Sequence, residues 1–321
     1  MEKMMSNQKT AKQVIFGTGP LALAVMDQLA TQGKPVTLVN RSGKLNAALP
    51  AGVTIAAADA TDPAQVRQVC TEAAVVYLCA MPPYTQWPEK FPPLIQGLVT
   101  GLAGSGVKLI YGDNLYMYGP NHASEPITEG LPHAATGPKG RTRAAMAKLL
   151  LDAHARGDLR VSIGRAPDFY GPRVLNSVFG AMFLEPALAG KPVNLIGDID
   201  QPHTFTYIHD FGRALVTLGD HDEALGRAWH VPSAPTMTQR QLVDLFSQAI
   251  GKPIKVRAAN KALLTALGWF NPMIREAKEM YDSFKYPYTV DHSQFAGTFG
   301  ATPTPHEEAV LATVAWYRKQ Q

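Results

Sequence analysis

The chain has 321 residues, 46% of them hydrophobic, and a formal net charge of +4 at pH 7. That is enough apolar material for a large core in one or two domains. The slight charge, with no run of Lys and Arg, argues against a nucleic-acid partner. No apolar stretch reaches the ~18–20 residues of a membrane span. Residues 1–12 lack the apolar centre of a signal peptide and read as an N-terminal extension. Cys70 and Cys79 fit no disulfide or zinc framework, and Met4, Met5 and the other methionines read as tail or core. The expectation is a soluble cytoplasmic protein.

The first element is a short apolar run, Gln13-Val14-Ile15-Phe16, ending in Gly17-Thr18-Gly19-Pro20-Leu21-Ala22 and leading into good helix formers up to Gly33. The pattern is strand, tight turn, helix. Gly17 allows the turn, Gly19 lets backbone approach a pyrophosphate, and Ala22 lets the helix pack close to the strand. Free N–H groups at the helix start then suit phosphate. Val36-Thr37-Leu38-Val39-Asn40 is the second strand, followed by Arg41-Ser42. An acid at this strand end would accept bonds from the ribose 2′-hydroxyl of NAD; here there is none. A guanidinium and a hydroxyl suit the 2′-phosphate of NADP(H). Val53–Ala57 is a third strand. Asp59 and Ala60 then lie where adenine would sit, Thr61 or Asp62 caps the next helix, and Pro63 opens it.

Ala73–Ala80 is a fully apolar strand, as expected in a buried parallel sheet. Ala80, Met81 and Pro82 at its end are placed beside the cofactor, and the loop Pro82–Phe91 brings Tyr84 and Trp87 toward a substrate. A helix over about Pro93–Gly104 and a fifth strand, Val107–Tyr111, continue the alternation. The result is an α/β fold with a doubly wound parallel sheet. Asp113-Asn114-Leu115-Tyr116 follows that strand, at the crevice where such sheets bind ligands. Asn121–Pro138 reads as a loop. Lys139–Arg156 is a long helix with Ala145, Met146, Leu149 and Leu150 on its apolar side. Val161–Arg165 is a sixth strand, leading into Ala166-Pro167-Asp168-Phe169-Tyr170-Gly171-Pro172.

These motifs, in this order, resemble the extended short-chain dehydrogenases/reductases of the NAD-dependent epimerase/dehydratase family. Asp113–Gly119 is similar to that family's Ser-Ser-x-x-x-Tyr-Gly segment. Arg165–Pro172 is similar to its Arg-Pro-x-x-x-Tyr-Gly-Pro turn, and Phe205–Asp210 to its aromatic strand before a Val-x-Asp helix start. Phe299-Gly300 and Thr313–Tyr317 are similar to its C-terminal ending. The resemblance implies a Rossmann domain over 13–172 plus 205–231. It implies a smaller, mostly C-terminal substrate lobe over 173–204 plus 232–321, and dimers in many members. In the lobe, Thr236–Ile250 reads as a capped helix, Ile254–Val256 as a short strand, Lys261–Lys285 as helical with a break at Asn271-Pro272, and Glu307–Lys319 as the last helix.

The resemblance also implies a Tyr-x-x-x-Lys pair at the start of the helix after the fifth strand. The tyrosine would exchange a proton, and the lysine would lower its pKa and hold the nicotinamide ribose. Here the tyrosine position falls on Lys139, the lysine position on Arg143 and the usual Ser or Thr on Asn114. The literal match Tyr281–Lys285 lies in the wrong element and reads as chance. With the phenol missing, Tyr116 is the substitute acid, on the side of Asn114 if that stretch is extended. Asn114 would bond a carbonyl oxygen, Lys139 would assist or donate, and Arg143 would bind ribose or phosphate. Pro167 joins the cofactor residues; Asp168 and Tyr170 join Tyr84 at a small-molecule substrate. Phe179, Met182 and Phe183 suggest an apolar substrate wall. His203, His209 and Asp210 match no metal-ligand spacing.

Three readings stand. An NADP(H)-dependent oxidoreductase acting on a small carbonyl or conjugated compound is favoured. A non-catalytic NADP(H) sensor or scaffold is second. A sugar-nucleotide epimerase or dehydratase ranks last, because it needs a base and because only scattered Lys191, Lys252, Lys255 and Arg257 are available to grip a diphosphate.

Overall fold

Val14, Ile15 and Phe16 have almost no solvent contact on either side, so β1 (Lys12–Phe16) forms the middle of a sheet. The computed structural model describes residues 11–119, 125–259 and 281–320. The expected helix over 261–285 and its break at Asn271-Pro272 fall largely outside those residues, as do Met4 and Met5.

Around β1 the chain lays down α1 (Pro20–Thr31), β2 (Val36–Asn40), β3 (Val53–Ala57), α2 (Pro63–Val69), β4 (Ala73–Leu78), α3 (Trp87–Leu102), β5 (Lys108–Asp113), α4 (Pro138–Ala155) and β6 (Arg160–Arg165). With β11 (Ala228–His230), the strands form a seven-stranded sheet in the order β11-β6-β5-β4-β1-β2-β3. β1 is parallel to both β2 and β4, and β4–β5 and β5–β6 are parallel as well. The chain runs outward from β1 through β2 and β3, then returns to β4 on the other side. The direction of winding therefore reverses between β1 and β4, and their C-terminal ends open the crevice where such sheets bind ligands.

Asp62, one of the two candidate caps, starts α2 by accepting from the Ala64 and Gln65 N–H groups. Helix α3 begins at Trp87, six residues before the sequence expectation. Pro88 stands in its first turn, and two further prolines, Pro92 and Pro93, lie inside the helix. The adjacent prolines resemble a start signal, but burial of Trp87 and Phe91 extends the helix back past them. On α4 the buried face runs through Lys139, Thr142, Arg143, Met146, Ala147, Leu150 and Ala153, a helical 3–4 repeat; Ala145, expected inside, is exposed.

The chain divides into two compact units, 1–117 with 138–165 and 211–229, and 118–137 with 166–210 and 230–321. Residues 118–137, 166–172 and 205–210 thus group with the second unit, not with the sheet. That unit holds α5 (Ala181–Leu188), α7 (Gln239–Ile250), α8 (Ser293–Phe299), α9 (His306–Arg318) and three small sheets, which pair Phe169–Tyr170 with Thr206–Tyr207, Val193–Ile196 with Val256–Ala259, and Pro202–His203 with Met237–Thr238; α6 (Ile208–Asp220) passes from it into the first. The N-cap of α7 is Thr238, in a reciprocal capping box with Gln241, and not Thr236. The short strand is Val256–Ala259. An aromatic cluster of Phe179, Phe183, Phe205 and Phe246 fills this unit's core.

A close approach fixes α3 against the turn that follows β3. A Cβ at Gly97 would collide with the Ala60 carbonyl oxygen and the Thr61 backbone. Gly97→Ala is therefore expected to destabilise the protein by about 1–3 kcal/mol through overpacking, read as a lower midpoint in urea denaturation. Gly104→Ala, at an uncrowded positive-φ glycine, is the control for backbone strain alone.

Candidate active site

The turn after β1 requires glycine at its first position. Gly17 has φ +119, and a Cβ there would lie 2.9 Å from the Ala80 nitrogen at the end of β4. Gly19 is the N-cap of α1, with no side chain bonded to the helix start, and the space beside its Cα is open. Pro20 and Leu21 begin the helix. Asn40 builds the loop after β2: its Oδ1 accepts from the Ser42 N–H, the Ser42 hydroxyl and the Gly43 N–H at 3.0, 3.1 and 2.7 Å. Its Nδ2 donates to Lys44 O at 2.8 Å and to Thr18 Oγ1 at 3.4 Å. Arg41 projects from this braced loop as an exposed side chain. Asp59 uses Oδ1 to accept from the N–H and hydroxyl of Thr61, so that oxygen shapes the turn, and Ala60 is the residue pressed by α3. These groups, with Ala80, Met81 and Pro82, line the C-terminal edge of the sheet at its switch point.

The second half of the site comes from the end of β5 and the start of α4. The stretch after β5 is not extended. Asn114 Oδ1 accepts the Tyr116 N–H at 3.1 Å and opens a 3-10 turn over Tyr116–Tyr118, so Tyr116 is placed by a turn and not by strand alternation. Tyr84 begins another 3-10 turn and lies under Lys139, whose ammonium is 4.4 Å from the ring centre. Lys139 is only 2% exposed. Trp87 anchors the segment by donating its indole N–H to Pro82 O. The Tyr84 and Tyr116 rings pack on it with centroids 5.0 and 5.8 Å away.

Arg143 departs from the expected ribose or phosphate contact. Its guanidinium lies over the rings of Trp87 and Phe91, 4.3 and 4.4 Å from their centres. It donates to the Tyr111 hydroxyl and to Asp113 Oδ1 at 3.1 Å. Arg165 reaches the other oxygen of Asp113 at 3.5 Å. All of these groups are buried. Burial works against the charge on Arg143, but Tyr111 and Asp113, with a smaller contribution from Tyr116, outweigh it and hold the guanidinium above its ordinary pKa. Asp113, Tyr111 and Arg165 were not singled out as a unit by sequence reasoning. The available signal was a carboxylate ending an otherwise apolar strand, which demands a buried partner.

In the second unit, Asp168 remains partly exposed and one of its oxygens accepts from His203 Nε2 at 2.9 Å. The His203 ring stacks on Phe205, Phe284 and Tyr288. Tyr170, expected at a substrate, is 1% exposed and its hydroxyl bonds His306 at 2.9 Å, so it is a core residue. Pro167 is likewise buried. Phe179 and Phe183 belong to the core, and of the expected apolar wall Met182 alone is exposed. Tyr281 is buried and the Lys285 ammonium lies 5.0 Å from the Tyr286 ring. Asp210 accepts from the N–H and hydroxyl of Thr304. No cluster that could hold a metal ion occurs among the described residues, and none of their helices is long and apolar enough to cross a membrane.

The model of the NAD dependent epimerase/dehydratase family matches residues 14–231. A dTDP-glucose 4,6-dehydratase of Neisseria gonorrhoeae is 24% identical over 206 residues, covering 63% of this chain and 56% of the dehydratase, so the chain spans little more than half the length of that relative. Among solved structures, a UDP-N-acetylglucosamine 4-epimerase from Methanobrevibacter ruminantium in complex with UDP-N-acetylmuramic acid superposes with a TM-score of 0.80 at 21% identity, covering 98% of this chain and 100% of the epimerase. A UDP-glucuronic acid 4-epimerase from Bacillus cereus in complex with NAD superposes with a TM-score of 0.77 at 17% identity, covering 96% of this chain and 99% of the epimerase. At these identities the superpositions establish the fold. The comparisons overturn the small-carbonyl reductase expectation: the relatives are sugar-nucleotide epimerases and dehydratases, the class ranked last from the sequence.

Removing one partner of a buried ion pair leaves an uncompensated charge. Asp113→Ala should therefore lower stability by about 3–5 kcal/mol in urea denaturation. Asp152→Ala, which breaks the exposed pair with Lys148, should change it by less than about 1 kcal/mol.

Proposed function

Since the chain belongs to the NAD dependent epimerase/dehydratase family, we propose that it binds a nicotinamide dinucleotide and acts on a sugar carried by a nucleoside diphosphate. The observation that carries this reading is the convergence at the β1/β4 switch point: a glycine turn that tolerates no side chain, an open helix start, and Asn114, Tyr116 and Lys139 at the neighbouring strand end.

The residues suit the cofactor. Gly17, Thr18, Gly19, Pro20 and Leu21 leave room for a pyrophosphate at the start of α1. Asn40, Arg41 and Ser42 flank the adenosine ribose, and with no acid among them a 2′-phosphate is the better fit. The preferred form is therefore NADP(H), although the Bacillus cereus epimerase complex contains NAD. Asp59, Ala60, Ala80, Met81 and Pro82 complete the walls. The bound cofactor supplies a reversible hydride acceptor.

The chain's own groups handle the proton and the oxygen. Asn114 uses its Oδ1 to hold the Tyr116 N–H, so its Nδ2 is the donor that orients a sugar oxygen. Lys139 contributes positive charge where an alkoxide develops. Tyr84 steadies that ammonium from below.

The reading is tested by incubating the protein with UDP-glucose, UDP-N-acetylglucosamine and dTDP-glucose, each with NAD+ or NADP+, and following the sugars by NMR. Appearance of an epimer or a 4-keto sugar is expected; unchanged sugars in every combination sink the reading. Calorimetric titration should show tighter binding of NADPH than of NADH. Arg41→Ala should weaken NADPH by about 1.5–3 kcal/mol and leave NADH unaffected.

A further inference from the structure

The N-terminal edge of the seven-stranded sheet carries a cavity of about 340 Å3, at the other end of the strands from the β1/β4 crevice. The register sets Gln13, Val75, Lys108 and Arg160 side by side at the starts of β1, β4, β5 and β6, so their side chains share one face of the sheet. All four line the cavity, together with Lys34 before β2 and with Gly219 and Asp220 at the end of α6. Every one of these residues belongs to the first compact unit. The volume is at the lower end of small-molecule sites.

Two buried polar atoms here have no partner among the described residues. Gln13 is 2% exposed. Its Nε2 donates to Ala11 O, which fixes the orientation of the amide and leaves Oε1 without a donor. Tyr77, on the same strand face as Val75, is fully buried and its hydroxyl is unbonded. That hydroxyl lies against Gly219, where an added Cβ would collide with it. Burial, with Asp220 close by, pushes the phenol up, so it stays protonated and needs an acceptor. A buried polar group left unbonded bears the cost of its lost hydration. An amide oxygen only accepts, so whatever satisfies Gln13 must carry an N–H or O–H.

The cations of the cavity have donors to spare. An ammonium has three. Lys34 spends one on Asp220, and Lys108 spends two, on Gly219 O and Asp222. Their side chains are 10% and 13% exposed, so the remaining N–H groups are largely removed from bulk water. Arg160 also pairs with Asp222. Three positive charges thus meet two negative ones, and a single further negative charge completes the balance.

We propose that this cavity is a second ligand site, built for a small hydroxycarboxylate whose carboxylate takes the spare donors of Lys34 and Lys108 and whose hydroxyl donates to Gln13 Oε1. The carboxylate brings the one charge and the acceptors; the hydroxyl brings the donor that a carboxylate lacks. A phosphate monoester carries up to two charges and fits the balance less well. A neutral polyol leaves the ammonium groups unmatched. The site lies at the opposite edge of the sheet from the residues of the sugar-nucleotide reading and does not depend on it.

The test is an NMR titration of the full chain, labelled with 15N, against glycerate, propionate and glycerol at constant ionic strength. The amides of Gly106 and Gly219 and the Gln13 side chain report on the cavity; the amides of Gly17 and Gly19 report on the crevice. Glycerate should give saturable shifts at the first set and none at the second. Propionate has the charge without the hydroxyls, and glycerol the hydroxyls without the charge; each should bind at least about fivefold more weakly. Gln13→Leu should abolish the advantage of glycerate over propionate, and Lys34→Met its advantage over glycerol. Gln13→Leu replaces an unpaired buried acceptor by an apolar group and so keeps the fold, which leaves a usable variant if Lys34→Met unfolds. No saturation with glycerate, equal binding of the three probes, or an advantage over propionate that survives Gln13→Leu overturns the proposal. Inorganic phosphate binding at the same amides more tightly than glycerate overturns the carboxylate assignment. Each of these outcomes leaves the sugar-nucleotide reading where it stands.

Discussion

Burying the Arg143 guanidinium is the constraint around which the sheet's ligand-binding edge is arranged. A guanidinium out of water is tolerated only with bonded oxygens and polarisable faces around it. Meeting that demand takes the Tyr111 hydroxyl and the Asp113 carboxylate from β5 and the rings of Trp87 and Phe91 from α3. Asp113 in turn requires Arg165 on β6. One side chain therefore couples two strands and two helices, and the residues that end β5 and begin α4 inherit their positions from it. The same demand explains why α3 starts as early as Trp87: without that turn the cation would lack an aromatic face.

The two halves of the candidate site are built by different means. The half at β1 and β2 is mostly backbone: a glycine at positive φ, an uncapped helix start and a loop braced by one amide. The half at β5 and α4 is made of side chains fixed by charge and ring packing. Backbone devices tolerate changes in neighbouring side chains, whereas a buried charged cluster does not. A chain can thus keep its dinucleotide turn while the groups around its reacting centre are exchanged, and Lys139 and Arg143 stand where the resemblance implies Tyr and Lys.

The parts legible in the sequence were those governed by local rules. The glycine turn, β2 and β3 with their bounds, a cap at Thr61 or Asp62 and the alternation of strand and helix all follow from short-range periodicity and turn chemistry. What stayed hidden depends on partners far along the chain. Arg143 reads as a ligand for phosphate until Asp113 and Tyr111, about thirty residues earlier, are found beside it. Tyr170 reads as a site residue until His306 takes its hydroxyl. Tyr116 was singled out for a reason that failed, since a turn and not a strand directs it. The reductase expectation failed against the relatives because an absent tyrosine was given more weight than the order of motifs along the whole chain.

The loop after β2 separates two tasks that often fall to one residue. Asn40 spends both ends of its amide on the loop's own backbone and hydroxyls, so the loop holds its shape without help from Arg41. Little ordering of the main chain remains to be done when a ligand arrives; only the arginine stem has to settle. Under the proposed cofactor reading, discrimination between NADP(H) and NAD(H) rests on one side chain mounted on a frame braced by Asn40. On that reading, a single codon change at position 41 alters cofactor choice with no refolding of the crevice.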